Sequence, residues 1–482
     1  MPIYTNYSVL QNKSYKKLCL ILGFGGHGSA CLGDHLKNKE IGFRLILANM
    51  DDGGCTGRMQ KYLKSAIQNI NAIGSYNFNK NKDPIALGDL KNNIKVWLTN
   101  SLQNKPEKEA VEQIFECRSN DSSEFKNNFY KLAQIFPFLQ KYWSSFCLLS
   151  ESYLDVLSKS QDSGEKTSFG NLFLQLIYNQ SSSSREFLNE LKANGMTPDN
   201  VDIYFLTDYQ LTLKAETKSG RILNSEAELD ICLNDPVKIE SYELYNPKNQ
   251  KLTADDILSQ NIELKDLFDE FSRLDRKNGY ILFPPGSISN LFPLLNNLSQ
   301  KIKDLNLPIL WFTNAFIQGN EEKLEVQIEK MHGMFAGNET PLLVLGASQN
   351  PFDLVEPRFK ERLQAAYFRE NKTQIDQNAV ALMMQFYNKT TVYLPNLDMV
   401  EIEGAGLKYR VKQIDNYINA IVNIWQILTK KQLNSDELLN QFVEVLKKMV
   451  PEGFRYKIYP ELLQSKDSKR LIHDSSRFIA VK

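Results

Sequence analysis

Short apolar runs recur along the chain, each closed by glycine, proline or a polar cluster. They lie at 18–22, 43–50, 201–207 (VDIYFLT), 279–283 (GYILF), 308–313 (PILWFT), 341–347 (PLLVLGA) and 390–395 (TTVYLP). Their length and apolar character predict strands buried on both faces, as in a parallel sheet. Between the first two, "GSACLGDHLKNKE" is long enough for a crossover helix, which makes a strand–helix–strand unit of about 30 residues. "LTLKAETKSGRILNSEAEL" has a different period: it alternates around a Lys-Ser-Gly turn and reads as a β-hairpin. Residues 93–160 lack strand-like runs and are rich in Leu, Phe, Lys and Glu, which predicts a helical insertion. "SSSSREFLNELKANG" reads as a loop, then a helix stopped by Gly195. Further on, Ile418, Ile421, Val422 and Trp425 recur at i, i+3, i+4 and i+7, and Leu438, Phe442, Leu446 and Met449 share a face in the same way. The prediction is an α/β chain: a Rossmann-like, doubly wound, mostly parallel sheet with an α-helical insertion and C-terminal helices. Its expected parts are 1–92 (first half of the core), 93–165 (insertion), 166–425 (rest of the core with the hairpin) and 426–482 (helical extension).

Composition narrows the function. The 482 residues carry 57 Lys+Arg and 57 Asp+Glu, so the formal net charge is zero and nucleic acid is not expected as a partner. Six cysteines (Cys19, Cys31, Cys55, Cys117, Cys147, Cys232) are scattered with no C-x-x-C pair, the pattern of free thiols in a reducing compartment. No apolar run approaches the roughly 18 residues of a membrane helix. The run at 18–22 is shorter than a signal h-region of about 7 residues, so the expected location is the cytoplasm. The four histidines show no metal-ligand spacing, and neither a G-x-S-x-G elbow nor a Walker lysine is present.

The polar residues with chemical potential fall where the strands are expected to end. "GFGGHGSA" follows the first strand, and Gly23, Gly25 and Gly28 fit a dinucleotide fingerprint. Its backbone N–H groups and helix N-terminus suit a phosphate. The same glycines also suit a tight turn with no ligand, and His27 suits either a phosphate contact or loop packing. "MDDGGCTGR" follows the second strand. Asp51 sits where a nicotinamide-binding chain places its ribose acid, but a single acid suffices for ribose and Asp52 follows directly. Gly53 and Gly54 permit close backbone approach, and Arg58 has the fork that pairs with phosphate. Asp89 and Asn92 in "GDLKN", Asn171 in "FGNLFLQL", Gly286 and Ser287 in "FPPGS", and Asn314 in "WFTN" occupy similar junctions. In open α/β sheets, ligands bind outside such strand ends.

The order of these motifs resembles the 2-phospho-L-lactate transferase superfamily (CofD-like). "FGGHG", "MDDGGCTGR", "GDLKN", "IFECR", "FGNLFLQL", the hairpin and "FPPGS" follow one another as in that superfamily, over roughly 18–425. The Asp-Asp-Gly-Gly stretch is similar to the gluconeogenesis-factor branch (YvcK-like). The resemblance implies a Rossmann-like core holding a nucleoside-diphosphate conjugate. That ligand is a nucleotide sugar such as UDP-N-acetylglucosamine, or a GDP-linked donor whose phosphoryl group is transferred with Mg²⁺ and release of GMP. Carried over, Gly25, Gly26 and Gly28 would hold phosphate. Asp51 and Asp52 would face the metal or the acceptor, Asp89 and Asn92 would line the cleft, and Asn171, Gly286, Ser287 and Asn314 would contact nucleotide or phosphate. His27 stands where the family usually has threonine, Cys55 and Thr56 where it has a serine pair, and Lys91 where it has arginine.

Three functions follow as expectations. The first is a Mg²⁺-dependent transferase with Asp51, Asp52 and Asp89 as its acidic groups. The second is a non-enzymatic nucleotide-sugar sensor of carbon or cell-wall metabolism. The third is a nicotinamide oxidoreductase built on Gly23, Gly25, Gly28 and Asp51. A homo-oligomer or protein partner would dock through the helical insertion or the C-terminal helices.

Overall fold

The computed structural model describes residues 15–23, 36, 39–51, 53–74, 78–79, 82–225, 228–229, 239–275, 278–284, 288–307, 309–313, 330–331, 333–335, 342–346, 391–393, 401–402, 455–457 and 478–480. Its strands are β1 (Lys17–Leu22), β2 (Ile41–Leu47), β3 (Arg118–Ser119), β4 (Thr167–Ser168), β5 (Val201–Phe205), β6 (Thr212–Thr217), β7 (Ile222–Leu223), β8 (Ile239–Tyr245), β9 (Gly279–Phe283), β10 (Ile309–Thr313), β11 (Leu342–Gly346) and β12 (Thr391–Tyr393). Its longer helices are α1 (Gly54–Ala72), α2 (Gly88–Ser101), α3 (Lys105–Glu116), α4 (Ser122–Ile135), α5 (Trp143–Ser158), α6 (Phe169–Gln180), α7 (Ser184–Ala193), α8 (Ala254–Gln260), α9 (Ile262–Ser272) and α10 (Ile288–Asp304).

Seven strands form one sheet in the order β12-β11-β10-β9-β1-β2-β5, and every pairing is parallel. The chain starts in the middle, winds outward through β2 and β5, then returns to the other side of β1 and winds outward through β9 to β12. This is the doubly wound Rossmann order with one strand added. The seven apolar runs of the sequence are its seven strands. Strands buried on both faces need apolar residues in both phases, and β1 shows it. Cys19 and Ile21 join one apolar cluster, while Leu20 and Leu22 join the other.

On the first face, α1, α6 and the helices of the insertion cover the sheet. The insertion is helical as predicted, but its first helix begins at Gly88, inside the segment assigned to the core. It has an aromatic centre: Phe129 stacks on Phe146 with centroids 4.5 Å apart, and Phe115 meets Phe173 edge-on at 6.0 Å. Asp121 caps α4 by accepting the Ser123 N–H at 2.8 Å. The other face is covered by α8 to α10 and by a small antiparallel sheet, β7-β6-β8. The predicted hairpin is β6 and β7, and the longer partner of β6 is β8.

Beyond the large sheet, Glu401–Ile402, Arg455–Lys457 and Phe478–Ala480 pair as a three-stranded antiparallel sheet. The predicted crossover helix at 28–40 lies almost wholly outside the described residues, and the helices expected around Trp425 and Phe442 lie wholly outside them. Among the described residues, Cys19, Cys55, Cys117 and Cys147 are free thiols, and no helix is long and apolar enough to cross a membrane. Cys31 and Cys232 are outside the described residues.

Candidate functional site

The strand register sets the rim. Leu22 lies beside Ile46, Ile21 beside Leu282, Leu47 beside Phe205, and Phe283 beside Trp311. Because all these strands run the same way, the chain leaves β1 at Gly23, β2 at Ala48 and β9 at Pro284 along one edge. The winding direction reverses between β1 and β9, which is where doubly wound folds open a crevice.

Asn49 fixes the exit from β2. It is fully buried, and its Nδ2 donates to the Thr207 carbonyl at 3.1 Å, to the Thr207 hydroxyl at 3.2 Å and to the Tyr209 carbonyl. The Leu211 N–H returns a bond to the Asn49 carbonyl at 2.9 Å. The loop after β5 is thereby tied to the strand end that delivers Asp51.

Asp51 is half-buried and lies where three helices begin. Its Oδ1 accepts the N–H of Gly53, the N-cap of α1, at 2.9 Å. The Thr56 hydroxyl, in the first turn of α1, also bonds it. Asn171, in the first turn of α6, donates from Nδ2 to Thr56 Oγ1 at 3.4 Å. Gly88 opens α2, and a Cβ added there would stand 2.9 Å from both Asp51 Oδ2 and Thr56 Oγ1. Glycine is required at 88 because the carboxylate and the hydroxyl occupy the space of a side chain. Gly170 has a similar cause: its Cβ would fall 2.7 Å from Lys91 Cγ and 3.0 Å from Phe115 Cδ1.

The charge balance of this cluster is uneven. Burial pushes the Asp51 carboxyl above its ordinary value, while the Gly53 N–H, the Thr56 hydroxyl and the Lys91 charge act in the opposite direction. Lys91 is 6 % exposed, an environment lysine occupies only with partners. Three helix N-termini add positive partial charge to the same place. The side-chain oxygens Asn92 Oδ1 and Asn171 Oδ1 are buried and have no hydrogen-bond partner among the described residues. Such oxygens are acceptors suited to a ligand donor or to a hard cation.

The quoted motifs therefore meet. Asp51, Gly53 and Thr56 come from the acidic loop, Gly88 and Lys91 from "GDLKN", and Gly170 and Asn171 from "FGN". "IFECR" adjoins them, since Arg118 pairs with Ser168 in the β3–β4 ladder and the Phe169 N–H bonds the Cys117 carbonyl at 3.0 Å. Asp89 is half-buried in the first turn of α2, and its carbonyl accepts Asn93 Nδ2 at 2.9 Å. Gly54 is the exposed first residue of α1.

Arg58 is placed elsewhere. It lies two residues beyond Thr56, about 200° around the helix, and so leaves the Asp51 side. Its Nη1 pairs with Glu165 at 3.3 Å and its Nη2 donates to the Lys166 carbonyl at 3.1 Å. Gly25, Gly26, His27, Gly28, Asp52, Gly286, Ser287 and Asn314 lie outside the described residues. Asn49, Gln60 and Lys91 were not among the predicted site residues. Gln60 donates to the Asp51 carbonyl at 3.0 Å. A polar Asn49 ending an apolar strand was the readable signal for the first of them.

No family model matches the chain, and no curated protein does. Among solved structures, the chain is similar to protein BH3568 from Bacillus halodurans, described as a member of the upf0052 family. One crystal structure of it gives 16% identity and a TM-score of 0.48, covering 83% of this chain and 99% of that one. A second gives 16% identity and a TM-score of 0.47, covering 78% of this chain and 92% of that one.

Proposed function

We propose that the chain holds a nucleoside-diphosphate conjugate at the rim where β1, β2 and β9 end. The convergence of the acidic loop, "GDLKN" and "FGN" on Asp51 carries this reading, with three helix N-termini and Lys91 supplying positive potential for phosphate oxygens. The order of motifs along the sequence supports the same ligand class, a nucleotide sugar or a GDP-linked donor. In this reading, Gly25, Gly26, His27 and Gly28, together with Gly286 and Ser287, bind the diphosphate. Asn314 binds the nucleotide, and Asp89, Asn92 and Asn171 line the cleft.

Mg²⁺ suits the donor set by its chemistry. A carboxylate and unpaired amide oxygens are hard oxygen donors, and Mg²⁺ is commonly held by one or two carboxylates together with substrate phosphates. Asp51 and Asp52 would hold it, and when bound it would neutralise charge on the diphosphate. If the conjugate is turned over, an acceptor hydroxyl forms a P–O bond to the distal phosphoryl group. The bond to the nucleoside monophosphate breaks, and the hydroxyl proton passes to a carboxylate of the acidic loop. Without turnover, the same binding makes a sensor.

A nicotinamide reading has its own support, namely the strand order and an acid after β2. Against it, a single acid suffices for ribose, and Asp52 follows Asp51 directly in a second glycine-rich loop.

The test is a thermal-shift screen of UDP, GDP, UDP-N-acetylglucosamine and NAD, with and without Mg²⁺. A ligand at a hundredfold excess over Kd adds about 2.7 kcal/mol of apparent stability. Stabilisation by the diphosphates is expected. Stabilisation by NAD alone overturns the reading, and release of UMP or GMP from a bound conjugate separates the transferase from the sensor.

A further inference from the structure

Segment 82–87 has no regular structure of its own, yet it delivers α2 to the candidate site. The N-cap of α2 is Leu87, which offers no side-chain cap. Something else must set where this helix starts, because Gly88 has no slack against Asp51 and Thr56.

One peptide unit supplies the anchor. The Ile85 carbonyl accepts Gln175 Nε2 at 2.6 Å, and the Ala86 N–H donates to Gln210 Oε1 at 2.7 Å. These two groups belong to the same peptide plane. It is gripped from both sides by two glutamine side chains, one from the middle of α6 and one from the loop after β5. Ile85 and Ala86 are buried. Gln175 is 1 % exposed, and its own Oε1 has no hydrogen-bond partner among the described residues. A leucine or methionine at 175 would bury no unpaired oxygen. The amide's function is therefore its bond to Ile85.

Both anchors are rooted in the site itself. The first turn of α6 holds Gly170 and Asn171, and the loop carrying Gln210 is tied to the exit of β2 by Asn49. We propose that Gln175 and Gln210 are positioning residues, a matched donor and acceptor that grip the Ile85–Ala86 peptide and hold the N-terminus of α2 against Asp51. The proposal rests on reading that cluster as the nucleotide-conjugate site.

The two roles have opposite chemistry, and one substitution type separates them. Gln175→Glu, once ionised, places a carboxylate against the Ile85 carbonyl and removes the donor, so the variants are read at a pH above the raised range of a buried acid. Gln210→Glu keeps an acceptor for the Ala86 N–H and gives up only the longer Nε2 bond to the Leu211 carbonyl, at 3.2 Å. Two readouts apply to the full chain: amide hydrogen exchange of peptides covering 82–92 and 122–158, and thermal shift by UDP and GDP. Gln175→Glu should speed exchange in 82–92 about tenfold, leave 122–158 unchanged and weaken nucleotide binding about tenfold, the effect of losing one buried bond. Gln210→Glu should stay within about twofold of the parent in both readouts. Adding Gln210→Ala to Gln175→Glu should do less than the sum of the two, because both release the same peptide. If Gln175→Glu does not fold, Gln175→Met carries the same test with the donor removed and the shape kept.

Equal responses to Gln175→Glu and Gln210→Glu overturn the proposal. So does faster exchange in 82–92 with nucleotide binding untouched. If no nucleotide binds the parent while exchange still follows the donor–acceptor asymmetry, the grip stands and the ligand reading fails. If nucleotides bind the parent and every variant alike with exchange in 82–92 unchanged, the ligand reading stands and the grip fails.

Discussion

The two sides of α1 are held in opposite ways. Toward the candidate site, Thr56 and Gln60 face Asp51 through short, sheltered contacts in which backbone and side chain nearly touch. Toward the insertion, Arg58, Lys61 and Tyr62 reach out to the loop that follows α5. Arg58 pairs with Glu165 at 3.3 Å, Lys61 with Asp162 at 3.3 Å, and the Tyr62 hydroxyl with Asp162 at 2.5 Å. Glu165 is 61% exposed, so water screens the outer end of its pair, while Arg58 is 14% exposed and its Nε is buried with no hydrogen-bond partner among the described residues. One side has no room for an added atom; the other is a strap of charged pairs whose outer ends lie in water. What fastens the insertion is its aromatic interior, with the charged strap adding little.

Four changes test this contrast, from the largest effect to the smallest. Phe129→Ala removes a fully buried ring that stacks on Phe146, and should cost about 3–5 kcal/mol in a denaturation curve. A loss below that of breaking the strap would reverse the assignment of what holds the insertion. Gly88→Ala adds one carbon where two oxygens stand 2.9 Å away. It should cost about 1–3 kcal/mol and abolish the thermal response to diphosphates; an unchanged melting curve would mean the α2–Asp51 contact is slack.

Asp51→Asn sharpens the contrast through pH. The Asp51 carboxyl is raised by burial, so the folded chain keeps a proton that the unfolded chain gives up. Its favourable contribution is fully present below the ordinary aspartate range and is lost as pH rises through the raised value. Wild-type stability relative to Asp51→Asn should fall across that window and then level off. A flat difference in urea midpoints between about pH 3 and 8 would contradict the sign. Arg58→Gln should cost less than about 1 kcal/mol and leave nucleotide binding intact. Loss of binding would place Arg58 in the site despite its pairing with Glu165.

The large sheet was legible because its signal is local. A strand buried on both faces must be apolar at successive positions, and "GYILF" coincides with Gly279–Phe283. β8 was missed. Its sequence, IESYELY, mixes exposed and buried positions, and its partner β6 lies more than twenty residues away along the chain. At the site, the motifs identified which segments converge without revealing the facing. Arg58 stands close to Asp51 in sequence, but about 100° of turn per residue carries it to the far side of α1. Gly88 and Gly170 were readable as motif letters. Their causes, Asp51 with Thr56 and Lys91 with Phe115, belong to the tertiary contacts.

The winding order of the large sheet also has a temporal side. β1 lies in its interior, and one flank of it pairs with Gly279–Phe283, where Leu18 meets Gly279. During synthesis that flank stays without its neighbour while the whole insertion and the hairpin emerge, an interval on the order of tens of seconds at about 5–20 residues per second. The insertion, with its local helical contacts, and the Asp51 cluster, whose partners fall within residues 53–171, can settle early, while the open flank of β1 must wait for β9. Through that interval the nascent chain carries an unpaired parallel edge on β1, the kind of edge that templates pairing with another chain.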